Sequence, residues 1–342
     1  MRQGYYWTHV GKLLVRLINK LLMQENYLKF LRKVYRKIQS RNPPQKNVVT
    51  NLLRGQSAGD KIREVLESPY PAMICRFGSV ELDCLATYLS IKNNKNDFIK
   101  YIRGEIAPFW WDRELIYKMS VNAGFFPADV DHLEKFSELM FSEMKLVDIL
   151  GSWLPLESLF EKELTKCIKV SKGDLLPFHH KEPYSVAFAG KKILVVHPFD
   201  ESIRKQYAKK ELLFSDQRVL PDFDLITLRS VQSIANNQTP FQDWFQALDY
   251  MKNQIANIDF DIALIGCGAY GFPLAAHVKR IGKKSLHLGG PTQILFGIMG
   301  KRWEEEPGND YISKNFANKH WSRPLLSEIP QGNDKIENGC YW

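Results

Sequence analysis

The stretch "FDIALIGCGAYGFPLAAHVKRIGKKSLHLGG", Phe260 to Gly290, decides the fold. It opens on a short apolar run, breaks at the glycine-rich "GCGAYG", continues as "FPLAAHVKRIG" and closes on a second apolar run, "KSLHL". Apolar runs bounded by glycine read as buried strands, and the segment between them has helical length. Two strands joined through a helix pair in parallel.

The same alternation repeats upstream. Strand "KILVVH" (192–197) is followed by helix "DESIRKQYAKKELLF" (200–214), and strand "FDLITL" (223–228) leads to helix "PFQDWFQALDYMKNQIANI" (240–258). Earlier, "PAMICRFGSVELDCLATYL" reads as a buried strand over Ala72 to Phe77, a turn at Gly78 and a helix from Val80 to Leu89. The expected fold class is therefore α/β, Rossmann-like, a mainly parallel sheet with helices on both faces. Residues 100–182, aromatic-rich and mainly helical in pattern, read as an insertion into a domain spanning 47–342.

With 342 residues, 44% hydrophobic and 25% charged, the chain is long and apolar enough for a sizeable core and too apolar for disorder. No apolar run reaches the roughly 18 residues of a membrane span, and no cleavable leader is evident, so a cytoplasmic location is expected. Five cysteines, odd in number and never spaced C-x-x-C, argue against a disulfide framework or a zinc knuckle.

The charge is unevenly placed. Residues 1–46 hold eleven of the 47 basic residues and one of the 38 acidic ones, Glu25, so this arm more than accounts for the formal net charge of +9. Trp7, Val10, Leu14, Leu17 and Leu21, then Leu28, Leu31, Val34 and Ile38, recur at three- and four-residue steps, which predicts a basic amphipathic helical arm ending at "NPPQ" (42–45). Such an arm suits the anionic surface of a membrane's inner face, reached through residues 1–41; a helix packed on the body is the alternative. No recognition motif accompanies the charge, so nucleic acid is not an expected partner.

In a parallel sheet the ligand crevice lies at the carboxyl ends of the strands. Those ends carry Arg76, Gly78, Ser79 and Glu81; His197 and Asp200; Arg229 and Ser230; Gly266, Gly268, Tyr270 and Gly271; and Gly289, Gly290, Thr292 and Gln293. Glycine turns that open into helices present backbone N–H groups and a favourable dipole to phosphate. "GCGAYG" has the G-x-G-x-x-G spacing of a dinucleotide turn, but the acid expected about 20 residues on is missing, since the next strand ends near His287. A nucleotide diphosphate is therefore favoured over nicotinamide or flavin cofactors, with a purely structural turn as the alternative. In "RFGSVE", Arg76 can clamp a phosphate, while Glu81 can act as general base or hold Mg²⁺ or Mn²⁺, with Asp83 beside it; an Arg–Glu pair that only fastens the turn to the sheet is the alternative. Glu81, Asp200 and His197 are the base candidates in that order, with capping of the strand end as the alternative for His197; Tyr270 and Phe272 can stack on a base or sugar, with core packing as the alternative.

"ICRFGSVEL", "VVHPFDESIRKQY", the block from Phe260 to Trp303 and "ENGCYW" together resemble bacterial GT-D-fold glycosyltransferase-like proteins associated with surface polysaccharide assembly. The resemblance covers roughly residues 60–342 and leaves out the basic arm. It implies transfer of a sugar from a nucleotide-sugar donor, commonly a UDP-sugar, to a glycan or lipid-linked acceptor, with help from a divalent metal. Members carry Arg-x-Gly-Asp-x-Glu after the first strand, the acidic pair serving metal and donor. This chain matches at Arg76, Gly78 and Glu81 but has Ser79 in place of the aspartate. Either Glu81 and the donor diphosphate hold the ion, or Asp83 substitutes, or catalysis is metal-independent and leans on Arg76 and helix dipoles. A non-catalytic nucleotide-sugar-binding or scaffold protein is the runner-up reading.

Overall fold

The computed structural model describes residues 25–39, 52–93, 97–305 and 311–342. Their helices are α1 (residues 25–39), α2 (Gln56–Glu67), α3 (Ser79–Lys92), α4 (Phe98–Arg103), α5 (Arg113–Val121), α6 (Val130–Met144), α7 (Asp200–Tyr207), α8 (Trp244–Ala256), α9 (Gly271–Arg280), α10 (Thr292–Leu295), α11 (Arg302–Glu305) and α12 (Tyr311–Asn315). The strands are β1 (Ala72–Cys75), β2 (Ile149–Ser152), β3 (Ile168–Ser171), β4 (Lys192–His197), β5 (Asp224–Arg229), β6 (Ile262–Ile265) and β7 (Lys284–His287). The chain divides into two compact units: a larger one of Asn51–Leu85 with Trp111–Trp342, and a smaller one containing α1 and Ala86–Trp110.

The larger unit is built on a seven-stranded, all-parallel sheet in the order β3-β2-β1-β7-β6-β4-β5, which is a Rossmann-like α/β arrangement. The inner strands are unbroken apolar runs, "AMIC", "IALI" and "ILVV", because helices cover both of their faces and no side is left for polar residues. Register places Leu264 opposite both Val195 and Leu286, so aliphatic side chains stack across β4, β6 and β7. From β1 the chain moves outward to β2 and β3, whereas β7, β6, β4 and β5 lie on the other side of it. The pair β1–β7 is thus the point where connections diverge, and such a divergence opens a crevice above the strand ends.

α9 packs on β1, β6 and β7 through Leu274, Ala275, Ala276 and Val278. Gly282, at φ 81°, ends the segment in a left-handed conformation that favours glycine. Asp129 and Asp243 cap α6 and α8, their carboxylates accepting from the amides of His132 at 2.9 Å and Gln246 at 2.8 Å.

The expected helical insertion over 100–182 is corrected. It holds α5 and α6, but also the parallel strands β2 and β3, while residues 98–110 belong to the smaller unit. A four-residue run such as "ILGS" or "IKVS" is too short for its period to separate strand from helix.

In the smaller unit, Leu28 of α1 packs with Tyr101 and Ile106, flanked by Phe109 and Trp110, and the Arg32 guanidinium lies 4.6 Å from the centre of the Tyr101 ring. The expected arm is helical over 25–39; its residues 1–24 and 40–46 lie outside the described ones. Among the described residues no helix is long and apolar enough to cross a membrane.

Candidate functional site

Above the carboxyl ends of β1, β2, β3 and β7 lies a cleft of about 480 Å³ in the larger unit. Arg76 follows β1 and Lys172 follows β3; Arg302, from α11, reaches the same cleft. Three cations facing one space repel each other, and among the described residues no carboxylate lies within ion-pair distance of Arg76 or Lys172. Burial, then the neighbouring Arg76 and Arg302, push the Lys172 ammonium down to about 8. Burial likewise lowers Arg76, with Arg302 adding to the effect and Tyr341 and Glu81 opposing it. A site with this excess of positive charge is complementary to an anion.

Trp153 organises the cations. Its indole N–H donates to the Phe77 carbonyl at 3.1 Å, and the Arg76 Nε donates to the same oxygen at 3.2 Å. Lys172 Nζ sits 3.9 Å, and the Arg76 guanidinium 5.1 Å, from the centre of the Trp153 ring. The tryptophan backbone is fixed in turn by buried Glu157, which accepts from the amides of Trp153 at 3.1 Å and Leu154 at 3.0 Å and from the Ser152 hydroxyl. On the opposite wall Arg302 pairs with Glu337 and donates to the Tyr341 hydroxyl at 3.1 Å.

Glu81 folds back over Gly78. A Cβ on Gly78 would stand 2.0 Å from Glu81 Oε2, so glycine leaves the space that this carboxylate fills. Desolvation raises the Glu81 carboxyl above its ordinary range, against its own backbone N–H and Arg76, which pull it down. Ser79 lines the cleft as well. Asp83 is exposed and absent from the lining; residues two apart on a helix do not share a face, so Asp83 and Glu81 do not form a donor pair.

Gly268, Gly289 and Gly290 also border the cleft, but most of "GCGAYG" serves packing. A side chain at Gly266 would meet Thr292 Oγ1 at 2.6 Å and the Gly289 carbonyl at 2.7 Å, and one at Gly271 would meet the His287 ring at 2.1 Å. The Ala269 amide donates to the Ala123 carbonyl at 3.4 Å, and Gly266 N–H donates to Val196 O at 3.0 Å. Tyr270 is buried, stacked on Trp244 at 5.0 Å, and its hydroxyl meets Ser233. Thr292 and Gln293 are buried, with bonds to backbone carbonyls: Thr292 Oγ1 to Gly289 at 2.8 Å, Gln293 Nε2 to Tyr341 at 3.1 Å.

His197 and Asp200 also stand apart from the cleft lining. His197 Nδ1 accepts from the Phe199 amide at 3.0 Å, and complete burial pushes its imidazole down to about 3, which keeps it neutral. Asp200 pairs with Arg204 at 2.8 Å. The start of α7 receives a carboxylate of the chain itself: buried Glu328 accepts from the amides of Glu201 at 2.8 Å and Ser202 at 3.2 Å.

The structure therefore brings Arg76, Gly78, Ser79, Glu81, Gly268, Gly289 and Gly290 together and leaves the other expected residues in the core, on separate turns or, for Asp83, exposed on α3 outside the cleft. Trp153, Lys172, Arg302 and Tyr341 escaped the sequence reading. Reading β2 and β3 as strands places Trp153 and Lys172 directly after their carboxyl ends, which is the signal that finds them. The fold and site define a Rossmann-like α/β protein with a cationic, tryptophan-backed cleft at the sheet's divergence point. Comparison with protein-family models, curated proteins and solved structures finds no match to this chain.

Proposed function

We propose that the chain is a glycosyltransferase that takes a sugar from a nucleotide-sugar donor, foremost a UDP-sugar, and passes it to a glycan or lipid-linked acceptor in surface polysaccharide assembly. The observation that carries the reading is the convergence of Arg76, Lys172 and Arg302 on one open cleft, with Arg76 and Lys172 lacking a carboxylate partner among the described residues. A diphosphate satisfies that charge, and Trp153 offers an aromatic face beside it. The residue pattern of the GT-D-type resemblance points to the same chemistry.

In this reading the acceptor hydroxyl oxygen attacks the anomeric carbon as the bond from that carbon to the diphosphate oxygen breaks. Glu81 takes the hydroxyl proton; its raised carboxyl suits proton transfer nearer neutrality than an ordinary glutamate. Arg76, Lys172 and Arg302 stabilise the charge that grows on the leaving diphosphate. The residues present do not build a divalent-cation site: Glu81 lacks an aspartate at Ser79, Asp83 sits on another helical face, and Glu337 is committed to Arg302. No group of three or more potential metal ligands occurs among the described residues.

Non-catalytic binding of the same donor is the second reading, favoured by Ser79. Thermal-shift measurements with UDP, GDP, CMP and NAD, each with and without Mn²⁺, should show stabilisation by a nucleoside diphosphate, since a ligand at a hundredfold excess over its dissociation constant adds about 2.7 kcal/mol. Stabilisation by NAD alone would overturn the reading. Glu81→Gln should abolish transfer and donor hydrolysis while UDP still stabilises the protein; normal turnover in that variant removes Glu81 as base, and UDP binding without any wild-type turnover selects the non-catalytic reading.

A further inference from the structure

The smaller unit exposes apolar surface that its own core leaves uncovered. On α1, Leu28 is 8% exposed and faces inward, whereas Tyr27 is 62%, Phe30 60% and Ile38 63% exposed, with Val34 also exposed. At about 100° per residue these four fall on one stripe, separate from the face that Leu28 buries. Phe98 and Ile99 of α4 are exposed at 51% and 61%. Clustered exposed aromatic and aliphatic side chains mark an interaction surface, whereas single ones need no explanation.

The charge of the same unit selects the occupant. Its described residues carry eight basic and three acidic side chains, and Lys33, Arg36 and Lys37 of α1 are all exposed. Lys33 and Lys37 border the stripe, so an apolar face and a basic flank lie along one helix. An apolar protein partner would satisfy only the first of these. Anionic lipid satisfies both, because aromatic and aliphatic groups enter the interface while lysine and arginine heads meet phosphate. We infer that the smaller unit docks on an anionic membrane surface through Tyr27, Phe30, Val34 and Ile38 of α1, with Phe98 and Ile99 of α4 contributing apolar area. The inference is independent of what the cleft binds.

The test is flotation of the full chain with vesicles of phosphatidylcholine alone or of phosphatidylcholine with a minority of phosphatidylglycerol, at low and high salt. Wild type should float with the anionic vesicles, less so at high salt. Lys33→Glu with Lys37→Glu should lower partition by at least about tenfold, since each basic group near such a surface adds roughly fivefold. Phe30→Ser with Val34→Ser should lose binding at any salt, with an unchanged melting temperature because both sites are exposed. Equal flotation on the neutral vesicles, or wild-type flotation by the serine variant, overturns the inference. So does absence of flotation together with a dimer that the serine variant dissolves, which assigns the stripe to a second copy of the chain.

Discussion

Lys172 gives the sharpest test, because the cleft holds it in an unfavourable charged state. Its ammonium is pushed from 10.5 to about 8, first by burial and then by Arg76 and Arg302, while the Trp153 face 3.9 Å away partly compensates. His179, another cleft residue, is itself held below the usual histidine range by burial and adds no charge above neutrality. A lysine whose folded pKa lies below its unfolded value destabilises the fold while charged. That penalty is full below about pH 8 and is relieved as pH rises toward 10.5, so the ligand-free protein gains stability across this window. Binding of a diphosphate reverses the sign, since the anion favours the ammonium. If UDP binds only the charged form, its dissociation constant rises roughly tenfold between about pH 7 and about pH 9, a range in which the UDP phosphates are already ionised. Lys172→Met should melt higher than wild type near neutrality, bind UDP about tenfold or more weakly, and show no slope over that pH range. Isothermal titration calorimetry at several pH values reads the binding, and scanning calorimetry reads the melting temperature. A flat wild-type profile, or the same slope in Lys172→Met, would refute the account of the cleft as an anion seat strained by its own cations.

Two other substitutions probe the frame of the site. Gly78→Ala places a methyl group where Glu81 Oε2 lies at 2.0 Å, and Gly78 has no positive φ, so the side chain rather than the backbone gives way. Transfer should fall by an order of magnitude or more while the melting temperature changes little; full activity would show that the folded-back position of Glu81 is irrelevant. Glu328→Ala removes the carboxylate that receives the Glu201 and Ser202 amides and the Ser202 hydroxyl, and scanning calorimetry should report a loss of about 1–3 kcal/mol, equivalent to several degrees. An unchanged melting temperature would mean that water replaces the carboxylate at no cost.

How much of this was legible in the sequence depended on run length and on distance along the chain. "KILVVH" and "KSLHL" were unambiguous, and β4 is observed over the same six residues. β2 and β3 were not, because four-residue runs with only two large apolar side chains each, beside aromatic-rich helices, carry no usable period, and with them went Trp153 and Lys172. The glycine spacing of "GCGAYG" was legible but its meaning was not: Gly266 and Gly271 are demanded by Thr292, Gly289 and His287, neighbours that arrive from the next strand and turn. His197 and Asp200 follow a strand as functional residues do, yet the turn they occupy is closed by Glu328, whose approach no local pattern announces. Arg76 and Glu81 were recoverable because a single turn holds both.

Tyr341 has a consequence for the order in which the cleft comes into being. Its ring leaves no room for a side chain at Gly290, its carbonyl accepts from Gln293, and its hydroxyl receives Arg302, so one wall of the anion seat is assembled around it. During synthesis Arg76, Trp153 and Lys172 leave the ribosome long before that wall exists, and domains complete their long-range contacts only when the partners have emerged. An anion that fills the cleft therefore meets a finished seat only on chains extended through Tyr341, and it cannot serve as a template for the early steps of their folding.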